Sequence, residues 1–250
     1  LSCRKDSSWA VVVVKSREAS AYGKTANAKT SSSKFLNRAN IGTSLFTVSK
    51  LFMSLPPDPD FKHSEQSVSA GFKKTLRKTL LDIRKNMTAD EHVRFDHEIG
   101  RQVSLYLRSR MFKTIGVYLP IRNEPDLLEL YQELSAKMHL SLPVTIDKDQ
   151  PLQFVRWKPG DPLVKGDYNV SIPAMQEPVD MPEVLLIPCV GYTVNRFRLG
   201  YGGGFFDRTL AEHPDTHTIG IAYSCLLTDF PTEENDIPLR CIITETGIML

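Results

Sequence analysis

"RLGYGGGFFDR", residues 198–208, is the stretch from which the rest of this chain is best read. Four of the five residues 200–204 are glycine, with Arg198 ahead and Phe205, Phe206, Asp207 and Arg208 behind. Glycine loses more backbone freedom on folding than any other residue, so a purely structural turn uses one or two. Just upstream, "VLLIPCVGY" (residues 184–192) is a continuous apolar run of the kind a strand buried on both faces requires. Downstream, a helix is expected over residues 203–213. A glycine loop that leaves a buried strand and opens a helix is an anion site, with phosphate the usual guest. Its N–H groups and the helix dipole face the guest, and glycine lets the guest come close. Arg198 and Arg208 offer countercharge. The stretch lacks the GK[ST] of a P-loop, and a polar loop with Arg196 separates it from the strand, unlike a Rossmann fingerprint. The competing reading is a tight structural turn, with Phe205 and Phe206 as core residues.

The alternation of strand and helix extends outward from this point. "KKTLRKTLLDIRKNM" places Leu76, Leu80, Ile83 and Met87 on one helical stripe. "TADE" (Thr88–Glu91) is a capping-box signature, predicting a second helix that runs to about Arg108. Residues 114–120 read as a buried strand and residues 125–138 as a helix with Pro125 in its first turn. Residues 140–144 and 152–157 are short strand candidates. Residues 158–183, rich in Pro, Gly and Asp, read as a long surface connection. Residues 216–223 and 241–246 read as two more strands. The pattern predicts an α/β fold: a single domain with a mainly parallel sheet and helices on both faces.

Composition narrows the classes. Of 31 basic and 29 acidic residues, nine and two fall in residues 1–52, so the remainder carries an excess of five acids. A mildly acidic body argues against nucleic acid as a partner. Residues 1–62 read as an extension outside a domain of residues 63–250. Within them, residues 1–52 are a disordered extension, an organelle transit peptide, or sequence upstream of a natural start at Met53. Cys3, Cys189, Cys225 and Cys241 form no CxxC pair, and no His cluster accompanies them, which argues against zinc. Cys189 and Cys241, in apolar runs, read as small buried hydrophobes in a reduced, cytoplasmic setting. No apolar run reaches the roughly 18–20 residues of a membrane span.

Further charged residues stand out. Asp207, in the first turn after the glycines, is either an acid complementing the helix dipole or a Mg²⁺ ligand beside bound phosphate. Asp236, in "PTEENDIP" (residues 231–238), is a second candidate carboxylate past the next strand. Glu124, in "LPIRNEPD" (residues 119–126), leaves the first strand where parallel sheets bind ligands, although it also suits a helix start. Asp126 suits the helix start better. "KKTLR" puts Lys73 and Arg77 on one helix face, which by itself describes a solvated basic face. No nucleophile constellation is present: there is no GxSxG, and no Cys with a matching His.

Together these stretches resemble the 5-formyltetrahydrofolate cyclo-ligase family. "KKTLR", "YLPIRNEPD", "LLIPCVGYTVNRFRLGYGGGFFDRTLA" and "ENDIPL" resemble its motifs in order, from Lys73 to near the end of the chain. The resemblance implies an ATP- and Mg²⁺-dependent closure of 5-formyltetrahydrofolate to 5,10-methenyltetrahydrofolate by one monomeric α/β domain, releasing ADP and phosphate. It assigns ATP to Lys73, Lys74, Thr75, Leu76 and Arg77, and to the run Arg198, Leu199, Gly200, Tyr201, Gly202, Gly203, Gly204, Phe205 and Phe206, with Arg198 stabilising charge. It assigns the folate to Leu119 and Glu124 and to residues 201–205 of the same loop. Asp207 and Asp236 would hold Mg²⁺. Tyr192-Thr193 replaces the family's Phe-Asp, the loop Val194-Asn195-Arg196-Phe197 lacks its usual glycine, and Phe205-Phe206 stands where many members have Tyr-Tyr. The alternative is a metabolite-sensing domain on a related sheet that binds a phosphorylated ligand without turnover.

Overall fold

The computed structural model describes the backbone over residues 59–250 and side chains from residue 69 onward, Asn169 excepted. The proposed extension, residues 1–62, lies outside the described residues except for 59–62, which begin the first helix. The helices are α1 (Pro59–Lys85), α2 (Ala89–Arg108), α3 (Leu128–Ser135) and α4 (Phe205–Glu212). The strands are β1 (Thr114–Gly116), β2 (His139–Val144), β3 (Gln153–Arg156), β4 (Leu163–Lys165), β5 (Ser171–Pro173) and β6 (Pro178–Val179). They continue as β7 (Val184–Pro188), β8 (Gly191–Tyr192), β9 (Arg198–Leu199), β10 (His217–Ile221), β11 (Cys241–Thr244) and β12 (Gly247–Met249).

An eight-stranded sheet in the order β12-β11-β10-β7-β1-β2-β3-β6 organises the domain. The five strands from β11 to β2 run parallel, and β12, β3 and β6 join antiparallel at the edges. Strands β7, β10 and β11 are buried almost throughout, which is why β7 and β11 are near-continuous runs of Val, Leu, Ile and Cys. Cys189 and Cys241 are fully buried free thiols, as their apolar surroundings predicted. The parallel core is therefore the α/β sheet expected.

The helices follow their sequence signals. Thr88 Oγ accepts from the Glu91 N–H at 3.2 Å while Glu91 Oε2 accepts from the Thr88 N–H at 2.8 Å, completing the capping box of α2. Leu76 and Leu80 of α1 and Ile99 and Val103 of α2 enter one continuous core with β7, β10 and β11. Several boundaries differ from expectation, and the strand expected over residues 114–120 ends at Gly116. Helix α3 begins at Leu128, because Asp126 accepts from the Leu128 N–H at 2.9 Å and Pro125 remains in the preceding loop. The last strand folds back at Gly247 into β12. Residues 158–183 are more than a connection: β4 and β5 form a separate hairpin and β6 extends the sheet.

Close packing fixes one glycine that carries no ligand role. A Cβ on Gly220 of β10 would lie 2.4 Å from Ile242 Cδ1, 2.7 Å from Leu239 Cδ1 and 3.2 Å from Cys189 Sγ. Gly220→Ala is expected to lower stability in urea denaturation by about 1–3 kcal/mol through overpacking. An unchanged midpoint would contradict this packing.

The strand order places the site. The chain builds β1, moves outward to β2, then returns to the opposite side of β1 with β7 and continues outward through β10 and β11. Order therefore reverses between β1 and β7. Ligands of open parallel sheets bind at the carboxyl ends of the strands flanking such a reversal. Glu124 follows β1 and the glycine loop follows β7, so the two sequence candidates lie on either side of this reversal.

Candidate functional site

Helix α1 supplies the cationic wall. Lys73, Leu76, Leu80 and Arg84 recur at spacings of three, four and four, which stacks them on one helix face. All four are buried. The two leucines enter the core and the two cations reach outward at its ends. Lys73 Nζ lies 2.9 Å from Asp236 Oδ2 and 3.0 Å from Glu233 Oε1. Arg77, half-buried one turn on, donates from Nε to the Gly200 carbonyl at 2.8 Å. The reading of "KKTLR" as a solvated basic face therefore fails for Lys73. It holds for Lys74 and Thr75, which are exposed, and the Thr75 hydroxyl donates back to the Gly71 carbonyl. Leu76 is core, so within residues 73–77 only Lys73 and Arg77 turn charge toward the site.

The segment after β1 turns sharply at Ile121–Glu124, with the Glu124 N–H donating to the Ile121 carbonyl at 2.9 Å. Arg122 and Asn123 both have positive φ, 47° and 61°, the pattern of a type I′ turn without the glycine that would make it easy. Glu124 is buried at 4% exposure. Its Oε2 accepts from the Ile121 N–H at 3.0 Å and its Oε1 from the Tyr201 hydroxyl at 2.8 Å. Burial pushes the Glu124 carboxyl above the ordinary carboxylate range, against its two hydrogen bonds and the opposing pull of Arg84 and Arg122. Leu119 is half-buried and packs against the core beside this turn.

The segment after β7 begins with the β8–β9 hairpin. Thr193 is buried and its hydroxyl accepts from the Phe197 N–H at 3.2 Å, closing the loop from inside. Arg196 takes the left-handed conformation at φ 65°, which explains why a glycine would suit this loop. Its Nε donates to the Leu239 carbonyl at 3.1 Å and its own carbonyl accepts from the Leu239 N–H at 3.0 Å.

The glycine loop then leads into α4. Gly204 caps the helix at φ 68°, and no side chain bonds to the first N–H groups. Those donors stay available to an anion, favoured further by the dipole of α4. Gly202, at φ 98°, lies flat over Arg77, where a Cβ would sit 3.3 Å from Cζ. Arg198 is buried and pairs with Asp207 Oδ1 at 2.6 Å, while its Nη1 donates to the Ile237 carbonyl at 3.0 Å. Leu199 is core. Arg208 donates to the carbonyls of Lys148 and Gly203, at 2.8 and 2.9 Å, and so ties the β2–β3 connection to the loop.

Asp207 and Asp236 approach the same place from different elements. The Ile237 N–H, next to Asp236, lies 3.4 Å from Asp207 Oδ1. Asp236 Oδ2 accepts from the Glu233 N–H at 2.9 Å. Each carboxylate is paired with a cation, Arg198 or Lys73. Among the described residues no group of three or more His, Cys, Asp or Glu surrounds a common point. Two hard carboxylates fit Mg²⁺, which commonly takes one or two from the protein and completes its octahedron with water and substrate phosphate.

Two contributors escaped sequence reasoning. The β4–β5 hairpin carries Tyr168, 64% exposed and at φ 55°, and sets its ring edge-on to Phe205 with centroids 5.7 Å apart. Phe205 also lies under Arg208, and Phe206 packs on the core beneath Arg198. The paired phenylalanines thus divide between rim and core. Arg84 is the other. Its position four residues past Leu80 put it on the apolar stripe, a signal that charge alone obscured.

An α/β domain whose glycine loop opens a helix at the sheet reversal, with cations and carboxylates around it, is the class that fold and site define. Comparison with known proteins narrows it. Residues 69–245 match the model of the 5-formyltetrahydrofolate cyclo-ligase family, and the chain belongs to that family, among the ligases of one-carbon folate metabolism. The 5-formyltetrahydrofolate cyclo-ligase of Escherichia coli K12 is 29% identical over 174 residues, covering 66% of this chain and 96% of that protein. The Haemophilus influenzae protein of the same name is 28% identical, covering 67% and 95%. Among solved structures, the 5,10-methenyltetrahydrofolate synthetase of Aquifex aeolicus superposes with a TM-score of 0.59 at 28% identity, over 70% of this chain and 91% of that one. The Mycoplasma pneumoniae synthetase gives 0.58 at 26% identity, over 69% and 98%.

Proposed function

We propose that this chain converts 5-formyltetrahydrofolate to 5,10-methenyltetrahydrofolate with consumption of ATP. The observation that carries the reading is the hydrogen bond from Tyr201, inside the phosphate cradle, to the buried Glu124. It makes the nucleotide side and the folate side one contiguous site, as direct transfer between two bound substrates requires. In this reaction the formyl oxygen takes the γ-phosphoryl group of ATP and ADP leaves. The folate N10 then attacks the activated carbon and closes the ring, and loss of phosphate and of the N10 proton leaves 5,10-methenyltetrahydrofolate.

Phosphoryl transfer asks for positioning and charge neutralisation more than for a protein nucleophile, which suits a site without one. The free N–H groups at the start of α4 receive phosphate oxygens, with Lys73, Arg77 and Arg198 supplying positive charge. Glu124 accepts N–H groups of the pterin. Tyr168 and Phe205 offer ring faces at the rim to a planar ligand. Asp207 and Asp236 would hold Mg²⁺, which when bound neutralises phosphate charge.

Incubation with Mg-ATP and 5-formyltetrahydrofolate should generate methenylfolate absorbance and ADP in equal amounts. ATP binding without either product would overturn the assignment. Asp236→Asn is expected to raise the Mg²⁺ concentration for half-maximal activity at least about tenfold, one charged ligand being worth about 1.5–3 kcal/mol. An unchanged Mg²⁺ dependence would remove Asp236 from the metal site.

A further inference from the structure

Arg84 is the largest fully buried side chain of the domain, with no exposed surface. Burying a guanidinium is costly unless its donors are satisfied. Its Nε donates to the Arg122 carbonyl at 2.9 Å and its Nη2 to the Tyr201 hydroxyl at 2.7 Å. Its Nη1 is buried without a hydrogen-bond partner. Of these contacts, one holds the left-handed residue of the I′ turn that presents Glu124. The other orients the hydroxyl that Tyr201 donates to Glu124. Packing alone would be met by an uncharged residue at this point of the apolar stripe.

We infer that Arg84 is a positioning residue for the folate side of the site, setting the pose and charge of Glu124 through the Arg122 carbonyl and the Tyr201 hydroxyl. This rests on Glu124 facing the folate. Substrate that engages Glu124 competes with the Tyr201 hydroxyl, whose residue is 38% exposed on the glycine loop. Arg84 cannot withdraw, because it is locked in the core face of α1. It therefore keeps positive charge against Glu124 whether Tyr201 is in or out. The other groups facing Glu124 are Arg122 on its own turn, Tyr118 at the end of β1, Tyr131 on α3 and Cys189 after β7. Tyr118, Tyr131 and Cys189 are all held neutral by burial, so Arg84 is the buried cation of this set.

The test is steady-state kinetics of Arg84→Gln, Arg84→Lys and Tyr201→Phe across pH, with Glu124→Gln in parallel. Arg84→Gln should raise KM for 5-formyltetrahydrofolate about tenfold, as expected for one charge-assisted hydrogen bond, and leave KM for ATP within about twofold. It should also move the acid limb of kcat/KM for the folate to higher pH, because loss of positive charge favours the protonated carboxyl. Arg84→Lys should return that limb toward its original position. Tyr201→Phe should move the limb the same way, and combining it with Arg84→Gln should add less than the sum of the two. If Glu124→Gln changes folate kinetics while the Arg84 and Tyr201 variants leave KM and the limb in place, the inference is wrong. If Glu124→Gln is itself silent, the folate reading of Glu124 fails first. Should Arg84→Gln fail to fold, Arg84→Lys and Tyr201→Phe still decide the matter through the limb.

Discussion

Arg198→Ala is expected to cost both stability and turnover. Arg198 is almost fully buried and its fork spans two elements, pairing with Asp207 of α4 and donating to the Ile237 carbonyl of the C-terminal loop. Truncation leaves a part-buried carboxylate without its counter-charge and a carbonyl without its donor. Breaking a buried pair from one side typically costs about 3–5 kcal/mol, and the partial exposure of Asp207 places this case near about 3 kcal/mol. Turnover should fall by about 10²–10³, the range for removing one preorganised donor from a charge-developing centre. Urea denaturation and steady-state kinetics with varied ATP read the two effects separately. Arg198→Lys should retain part of the stability but little of the turnover, since an ammonium cannot make both contacts with a planar fork. Wild-type stability together with an unchanged KM for ATP would remove Arg198 from the site.

Glu124→Gln is expected to act on the other substrate. A hydrogen bond to a charged acceptor contributes about 1.5–3 kcal/mol, so kcat/KM for 5-formyltetrahydrofolate should fall about ten- to hundredfold. KM for ATP should stay nearly constant. The pH dependence gives the sharper signature. Burial raises the Glu124 carboxyl, so on acidification it takes up its proton earlier than an ordinary glutamate would. Activity that needs the carboxylate is present above that pKa and lost as pH falls through it. The acid limb of kcat/KM should therefore lie above the usual carboxylate range in the wild type and flatten in Glu124→Gln. A limb unmoved by the substitution would assign it to another group.

Much of this was legible in the residues themselves. The glycine run, the apolar strand before it and the capping box each encode a local geometry, because φ freedom, two-faced burial and an N-cap are properties of short segments. Four of the elements that matter most, β7, the glycine loop, α1 and α2, follow from such signals. Other features are decided by distant partners. Tyr168 lies in a Pro- and Gly-rich stretch with no local periodicity, and only the pairing of β4 with β5 delivers it to Phe205. Edge strands β6 and β12 are two and three residues long, too short to carry a pattern.

The motifs also singled out Glu124, Asp207 and Asp236 as candidates while leaving each open to a commonplace reading as a helix-start acid or a solvated loop residue. For a carboxylate, those readings differ only in what stands opposite. The sequence by itself determined the sheet's parallel core and the glycine cradle. Tertiary structure alone decided that the strand order reverses between β1 and β7, bringing Glu124 to Tyr201 across 77 residues, and that Asp236 meets Lys73 across 163. It also decided that Arg84, one more basic residue in a basic helix, is buried between them. Helical spacing gives the face of a residue, but whether that face meets water or a carboxylate depends on what the rest of the chain packs against it.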